Sequence, residues 1–265
     1  MMRLWFYIMM IGWLAISCEK VIDIDLNDAN PNIVVEAELY QGERDFEVKL
    51  SYTSSFFEEE EQEIVDNAFV TLTEVGGETV EVPYAEDGLY RIEDYLAKDD
   101  KQYTLSIDVD GVNYSSTADM PPNVTLDSIE QRDPMGPFMG DGGKVLFLHW
   151  NDNPDQENYY RVIYALNDTL RRSREDVFIF DDGFVNGNET EIPLFVRLFD
   201  PGDTVDVQFL AIDPKAYDYL LTLNTIIGNG QPSAAPANPN SNFTNGALGY
   251  FAVYNGDQKR IIIEE

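Results

Sequence analysis

The chain has 265 residues, 44% hydrophobic and 12% aromatic, which is enough apolar material for a packed core and too much for a disordered polymer. Its 49 acidic and 17 basic residues leave a formal net charge of −32, which repels phosphate backbones and anionic lipid headgroups and argues against nucleic acid as a partner. With one cysteine and one histidine (His149), the chain excludes an internal disulfide and has almost no raw material for Ser-His-Asp or Cys-His catalysis or for a Cys/His zinc site.

Taken in chain order, the first feature is a short positive start, Met1 to Arg3. An apolar run follows from Leu4 to Ile16 (LWFYIMMIGWLAI). It is well short of the roughly 20 residues a membrane-spanning helix needs, so it reads as a signal peptide over 1–17. The lone Cys18 comes directly after Ala15-Ile16-Ser17, a lipobox-like site at which the thiol takes a diacylglycerol. Acylation with two or three chains gives a stable anchor where one chain would not. Cleavage removes Arg3 and leaves the mature chain one charge more negative. Residues 18–31 (CEKVIDIDLNDANP) form an acidic tether, with Glu19, Asp23 and Asp25 close behind the cysteine.

From residue 33 the pattern has a period of two. The segments 33–40, 46–53, 68–75, 78–84, 88–93, 102–109 and 112–118 read as strands, separated by Gly76-Gly77, Asp87-Gly88, Asp99-Asp100 and Asp110-Gly111. Asp110-Gly111 is the strongest hairpin signal, because both turn positions require positive φ. The acidic stretch 56–63 (FFEEEEQE) reads as a solvated loop. These segments predict an N-terminal immunoglobulin/fibronectin-like β-sandwich over 32–120, closed by Met120-Pro121-Pro122.

A second sandwich over 121–265 is built from strands at 124–130, 144–150, 159–166, 176–180, 191–199 and 204–212, with Trp150 and Tyr160 on its inner face. One helix is predicted over 214–227, capped by Asp213, begun by Pro214 and stopped by Gly228. Its apolar face carries Ala216, Tyr219, Leu220, Leu223 and Ile227. A long Gly/Pro/Asn loop fills 228–246. Its residues Pro236, Asn238, Pro239, Asn242 and Phe243 are the candidate partner-binding surface, with Phe243 as an exposed aromatic anchor. Gly246 and Gly249 are expected to allow close approach of that partner. A closing strand pair, 247–254 and 259–265, is expected to turn at Asn255-Gly256-Asp257.

No GxGxxG, Walker, HExxH or GxSxG motif occurs, so no catalytic residue and no cofactor is assigned. His149, in the strand VLFLHW, reads as structural. The oxygen-rich loops 151–158 and 181–189 lack EF-hand spacing, so no metal ligand is assigned. Carboxylate pairs are so abundant that none singles itself out as a glycosidase pair. The triplets Asp127-Ser128-Ile129, Asp168-Thr169-Leu170 and Asp203-Thr204-Val205 fit an Asp-Ser/Thr-apolar glycosylation pattern at about the frequency chance allows in so acidic a chain.

CEKVIDIDL after the lipobox, NYYR (158–161), YDYL (217–220) and NPNSNFTNGALGYFAVY (238–254) together resemble Bacteroidota lipoproteins filed as domain of unknown function 4249. The resemblance implies an outer-membrane lipoprotein encoded beside TonB-dependent receptors, with Glu19, Asp23 and Asp25 resembling a signal for export to the cell surface. It implies no reaction. The expected role is a non-enzymatic accessory of a TonB-dependent transporter, anchored in outer-membrane lipid through Cys18, that binds the receptor, its substrate or both. The alternatives are a structural or assembly subunit of an outer-membrane complex and a carboxylate-dependent carbohydrate-active enzyme.

Overall fold

The computed structural model describes residues 31–53, 63–134, 142–173, 176–183, 187–228 and 238–265. The signal peptide, Cys18, the tether with Glu19, Asp23 and Asp25, the acidic loop 56–62 and Pro236 lie outside the described residues. The protein is mainly β, with 16 strands and one helix described.

The N-terminal half contributes β1 (Ile33–Tyr40), β2 (Gly42–Tyr52), β3 (Phe69–Glu74), β4 (Thr79–Glu81), β5 (Tyr84–Glu86), β6 (Leu89–Ala97), β7 (Gln102–Val109) and β8 (Val112–Asp119). Alternation decides which faces meet. In β1, Ile33, Val35, Ala37 and Leu39 point inward while Val34, Glu36, Glu38 and Tyr40 point out. In β7, Tyr103, Leu105, Ile107 and Val109 do the same against Val70 and Leu72 of β3. The sheet β4-β3-β7-β8 thereby packs face to face on β1-β2-β6-β5 around one core. The turns match their residues: Asp110 and Gly111 have φ of 52° and 81°, and Asp87 and Gly88 have 48° and 75°.

The C-terminal half contributes β9 (Leu126–Arg132), β10 (Val145–Asn151), β11 (Tyr159–Leu166), β12 (Thr169–Arg171), β13 (Phe178–Asp181), β14 (Glu189–Pro193), β15 (Thr204–Ile212), α1 (Pro214–Gly228) and β16 (Leu248–Ile262). The sheet β14-β10-β9 packs on the layer formed by β11, β15 and β16. Trp150, Tyr160, Phe180 and Phe209 interlock between the layers, with Tyr160 and Phe209 stacked at 5.3 Å. Among the short elements, β12 lies outside the predicted segments and β14 differs in extent from the segment predicted for it. Strand β12 follows a turn at Asn167-Asp168, both at positive φ. Strand β14 is shorter than the apolar run 191–199, because Phe199 leaves it to bridge Lys144.

The close of the chain differs from expectation in a way that sets the architecture. No hairpin forms at Asn255-Gly256-Asp257. Strand β16 runs straight through these residues for 15 residues, a span of about 50 Å at ~3.3 Å per residue. Its first half pairs in parallel with β1, from Val34↔Leu248 to Tyr40↔Tyr254. Its second half pairs antiparallel with β15, from Ile212↔Tyr254 to Thr204↔Ile262. Ala247, Phe251 and Val253 therefore complete the N-terminal core, and Ile263 completes the C-terminal one. The segment 32–120 thus does not supply its whole core; the last strand is shared.

The residues that imitate a turn serve the crossing point. Asn255 is buried, and its Nδ2 donates to Asp99 Oδ1 at 2.9 Å and to the Pro121 carbonyl at 3.0 Å. Asp257 Oδ2 accepts the Leu126 N–H at 3.3 Å. A Cβ on Gly256 would lie 2.1 Å from the Phe209 carbonyl oxygen, so the two backbones meet where no side chain fits. Gly249 plays the same part against β1: its φ is 93° and a Cβ would lie 1.9 Å from Val35 O. The close approach that Gly249 permits is thus to its own chain, in place of the partner expected.

Helix α1 begins as its sequence dictates. Asp213 Oδ1 accepts the N–H groups of Lys215 and Ala216, both at 3.1 Å, and its Oδ2 accepts Val253 N–H at 3.4 Å. Burial pushes the Asp213 carboxyl up to about 6 despite these donors. Ala216, Tyr217 and Leu220 are buried against Ile163, Leu210, Ile212, Ala252 and Tyr254. The helix therefore covers the outer face of the layer to which β16 belongs, with Tyr217 in the face where the spacing predicted Tyr219 and Leu223, both of which are half-buried.

Gly249→Ala is expected to cost about 3 kcal/mol or more, since both strain and a backbone clash follow. Gly111→Ala, also at positive φ but with open space around it, is expected to cost only about 1–2 kcal/mol. Urea denaturation of both variants checks the contrast, and equal losses would remove the close-approach explanation.

Candidate functional site

Glu38 sits on the outward face of β1, where alternation expects a solvated carboxylate. Its side chain is only 12% exposed. The C-terminal half covers it: Arg161 from β11, Tyr250 and Tyr254 from β16, and Arg172 just beyond β12. Arg161 Nη1 donates to Glu38 Oε1 at 2.8 Å and also to the Tyr254 hydroxyl. Tyr250 donates to Oε1 at 2.8 Å and Tyr40 to Oε2 at 2.9 Å. Arg172 Nη2 lies 3.3 Å from Oε2.

The electrostatics follow from this enclosure. Burial by itself raises the Glu38 carboxyl, but the Arg161 and Arg172 guanidiniums and the Tyr250 and Tyr40 hydroxyls outweigh it and hold the group below the usual carboxylate range. Burial pushes the Tyr250 and Tyr254 phenols well up, so both remain neutral donors. Arg161, itself 10% exposed, stays cationic.

Above this cluster opens a recess of 430 Å³ lined by β1, β2, β16 and the β12 end of the layer. Its charged lining is mixed in sign: Glu36, Glu38, Asp45 and Glu47 against Arg44, Lys49 and Arg172. Sequence reasoning assigned none of these residues. The available signal was weak: Glu36, Glu38, Lys49 and Glu47 occupy alternate strand positions and read as ordinary solvent-facing charge.

The expected partner surface is placed differently. Asn238 is exposed and Pro239 half-buried. Asn242 is spent internally: its Nδ2 donates to the Phe251 carbonyl at 2.7 Å and its Oδ1 accepts the Phe251 N–H at 2.9 Å, as a strand residue would. Phe243 is half-buried and packs against the N-terminal core, so it is not the exposed anchor the loop composition suggested. With Asn240, Asn242, Pro214 and Asp218 it lines a shallow groove of 410 Å³. The oxygen-rich loops 151–158 and 181–189 are tied to each other where they are described. Asn158 N–H reaches Asp182 Oδ2 at 2.9 Å, and Gly187 N–H reaches Asp152 Oδ2 at 2.8 Å.

His149 is less isolated than its strand suggested. It lies opposite Glu191 in the ladder and near Glu130, and ligand atoms of the three fall within 4.8 Å of one another. Arg132 already occupies the middle. Its guanidinium forks onto Glu191 at 2.9 and 2.7 Å, reaches Glu130 and lies over the Phe147 ring at 4.0 Å. Hydrogen bonds from Arg132 hold both carboxyls below their usual range, so a metal ion would have to displace an existing cation.

The two facing sheets of each half, their alternating cores and the buried aromatic cluster define a mainly β protein of β-sandwich units. The chain belongs to the family described as Domain of unknown function (DUF4249), whose model matches residues 19–260. No curated protein matches it. Among solved structures it is similar to the two fibronectin type-III domain segment from chicken tenascin, at 16% identity, with 69% of this chain and 91% of that chain covered and a TM-score of 0.22.

Replacing Glu38 by Gln is expected to cost about 3–5 kcal/mol, because Arg161 is left buried without its counter-charge. The pH dependence follows from the lowered carboxyl. Its contribution is full above the ordinary carboxylate range and is lost as pH falls through the lower folded value. Wild-type stability is therefore expected to drop below pH about 4, with a shallower drop in Glu38→Gln. Denaturant melts from about pH 3 to about pH 7, which bracket the ordinary carboxylate range, check both points.

Proposed function

We propose that this chain is a lipid-anchored outer-membrane protein of a Bacteroidota cell, facing the cell surface. It serves as a non-enzymatic accessory of a TonB-dependent receptor and binds that receptor, its substrate or both. The observation that carries the reading is the position of the only cysteine. Cys18 follows an apolar run too short to span a bilayer, and the family match begins at the next residue, Glu19. No described helix is long and apolar enough to cross a membrane, which is compatible with an anchor that is lipid alone.

The recess over Glu38 supports a binding role. It rests on paired strands and a closed network of hydrogen bonds, so its floor is held in place before any ligand arrives. It suits acid catalysis poorly. A general acid at neutral pH needs a raised carboxyl, and Glu38 is lowered with both oxygens engaged. This weighs against Glu38 as the acid in the carbohydrate-active alternative.

Metabolic labelling with a fatty-acid probe is expected to mark the wild type and leave Cys18→Ala unlabelled; equal labelling would refute the anchor. Protease treatment of intact cells is expected to remove the protein, whereas digestion only after lysis would place it on the periplasmic side. Purification from detergent-solubilised membranes is expected to bring down a single receptor, and recovery of assembly machinery in its place would favour the structural alternative.

A further inference from the structure

The recess has polar capacity left once its floor is accounted for, and the signs of that capacity define a ligand. Both Glu38 oxygens are engaged, so the floor offers an incoming molecule nothing. Glu47 is held by Arg91 at 2.6 Å. The aromatic rings are engaged as well. Arg44 lies over the Tyr40 ring at 5.2 Å with Tyr254 at 4.9 Å, and Tyr250 stacks on Tyr219 at 4.7 Å. Neither ring is set out as a platform for a sugar.

What remains are Arg44, Lys49 and the outer edge of Arg172, which is 54% exposed, together with the carboxylates of Glu36 and Asp45. Of Asp45 only Oδ1 is occupied, by the Asp94 N–H at 3.1 Å. Acidic residues outnumber basic ones 49 to 17, and most described basic side chains have a carboxylate within 4.0 Å. Arg44 and Lys49 have none among the described residues, as is also true of Arg171, Arg197 and Lys215, but of these five only Arg44 and Lys49 line the recess, where Lys49 lies opposite Glu36 in the strand register. A body of charge −32 repels a free anion at long range, whereas a ligand of no net charge approaches without that repulsion. A molecule with a carboxylate and an ammonium satisfies both sets of unused groups.

We infer that the recess binds a short zwitterionic peptide. Its C-terminal carboxylate sits on Arg44 beside Arg172, which share the Tyr40 side of the recess, and its ammonium faces Glu36, two residues beyond Glu38 on β1. The volume of 430 Å³ suits a small ligand and not a folded domain. This inference rests on the substrate-binding part of the function proposed above.

The test is calorimetric titration of the detergent-solubilised full-length protein with trialanine, trialanine amide and N-acetyl-trialanine. Saturable binding of trialanine is expected. Removing either charge from the peptide, or making Arg44→Met, is expected to weaken binding about tenfold or more, the loss of one charged hydrogen bond. The melting temperature of Arg44→Met should fall by no more than about 4 °C, since Arg44 is not ion-paired and loses only its contact over the Tyr40 ring. No saturable binding of trialanine at millimolar concentration, or equal binding by Arg44→Met, overturns the inference. Receptor co-purification is read in parallel. If trialanine fails while the receptor is still recovered, the peptide site falls and the accessory reading stands; peptide binding without any receptor has the opposite meaning.

Discussion

The architecture depends on one strand that is paired differently along its two halves. β16 lies parallel to β1 over its first half and antiparallel to β15 over its second. A parallel pair between the first described strand and the last needs almost the whole chain in between, so this pairing is non-local and carries a large loop-closure cost. What offsets that cost is burial on both faces. Phe251 and Val253 enter the N-terminal core, while Ala252 and Tyr254 meet the helix and β11 on the opposite face. A strand buried on both faces loses the polar alternation of a half-exposed one and reads as a near-continuous apolar run, as GYFAVY does.

The shared strand explains why a charged cluster is buried beside it. Once β16 joins the halves, the outward face of β1 becomes an inside corner, and Glu38 is enclosed whether or not enclosure is favourable. The desolvation cost of a buried carboxylate and guanidinium is several kcal/mol per ion, and only complete hydrogen bonding recovers it. The cluster meets that condition through Arg161, Arg172, Tyr40 and Tyr250. An apolar substitute of equal volume would seal the corner as well, so stability alone does not account for the charges. They also set a mixed-sign lining around a recess in an otherwise strongly acidic molecule, which connects the packing to the binding role.

Polar side chains that looked available for function are mostly spent on the fold. Asn242 stands in for a missing strand partner of Phe251, Asn255 pins the interdomain linker, and Asp152 and Asp182 tie two loops together. The reason is common to all of them: each lies where a strand ends, bends or crosses, and a backbone group there has lost its ladder partner.

The sequence by itself determined the strands and the sandwiches. Period-two alternation placed β1 and β7 to the residue, the apolar run YYRVIYAL placed β11, and the Asp-Gly pairs and the Asp213-Pro214 start placed turns and helix, because these signals are local: a pleat, a positive φ, an orphan N–H. It also put Trp150 and Tyr160 in the core. Only the tertiary structure decided that Asn255-Gly256-Asp257 is a crossing and not a turn, that Gly249 approaches Val35, that Phe243 packs inward and that Glu38 meets Arg161. Each of those depends on a partner that is close in space and distant in sequence, 123 residues away for Glu38 and Arg161, and no local pattern encodes which outward-facing residue the other half of the chain will cover.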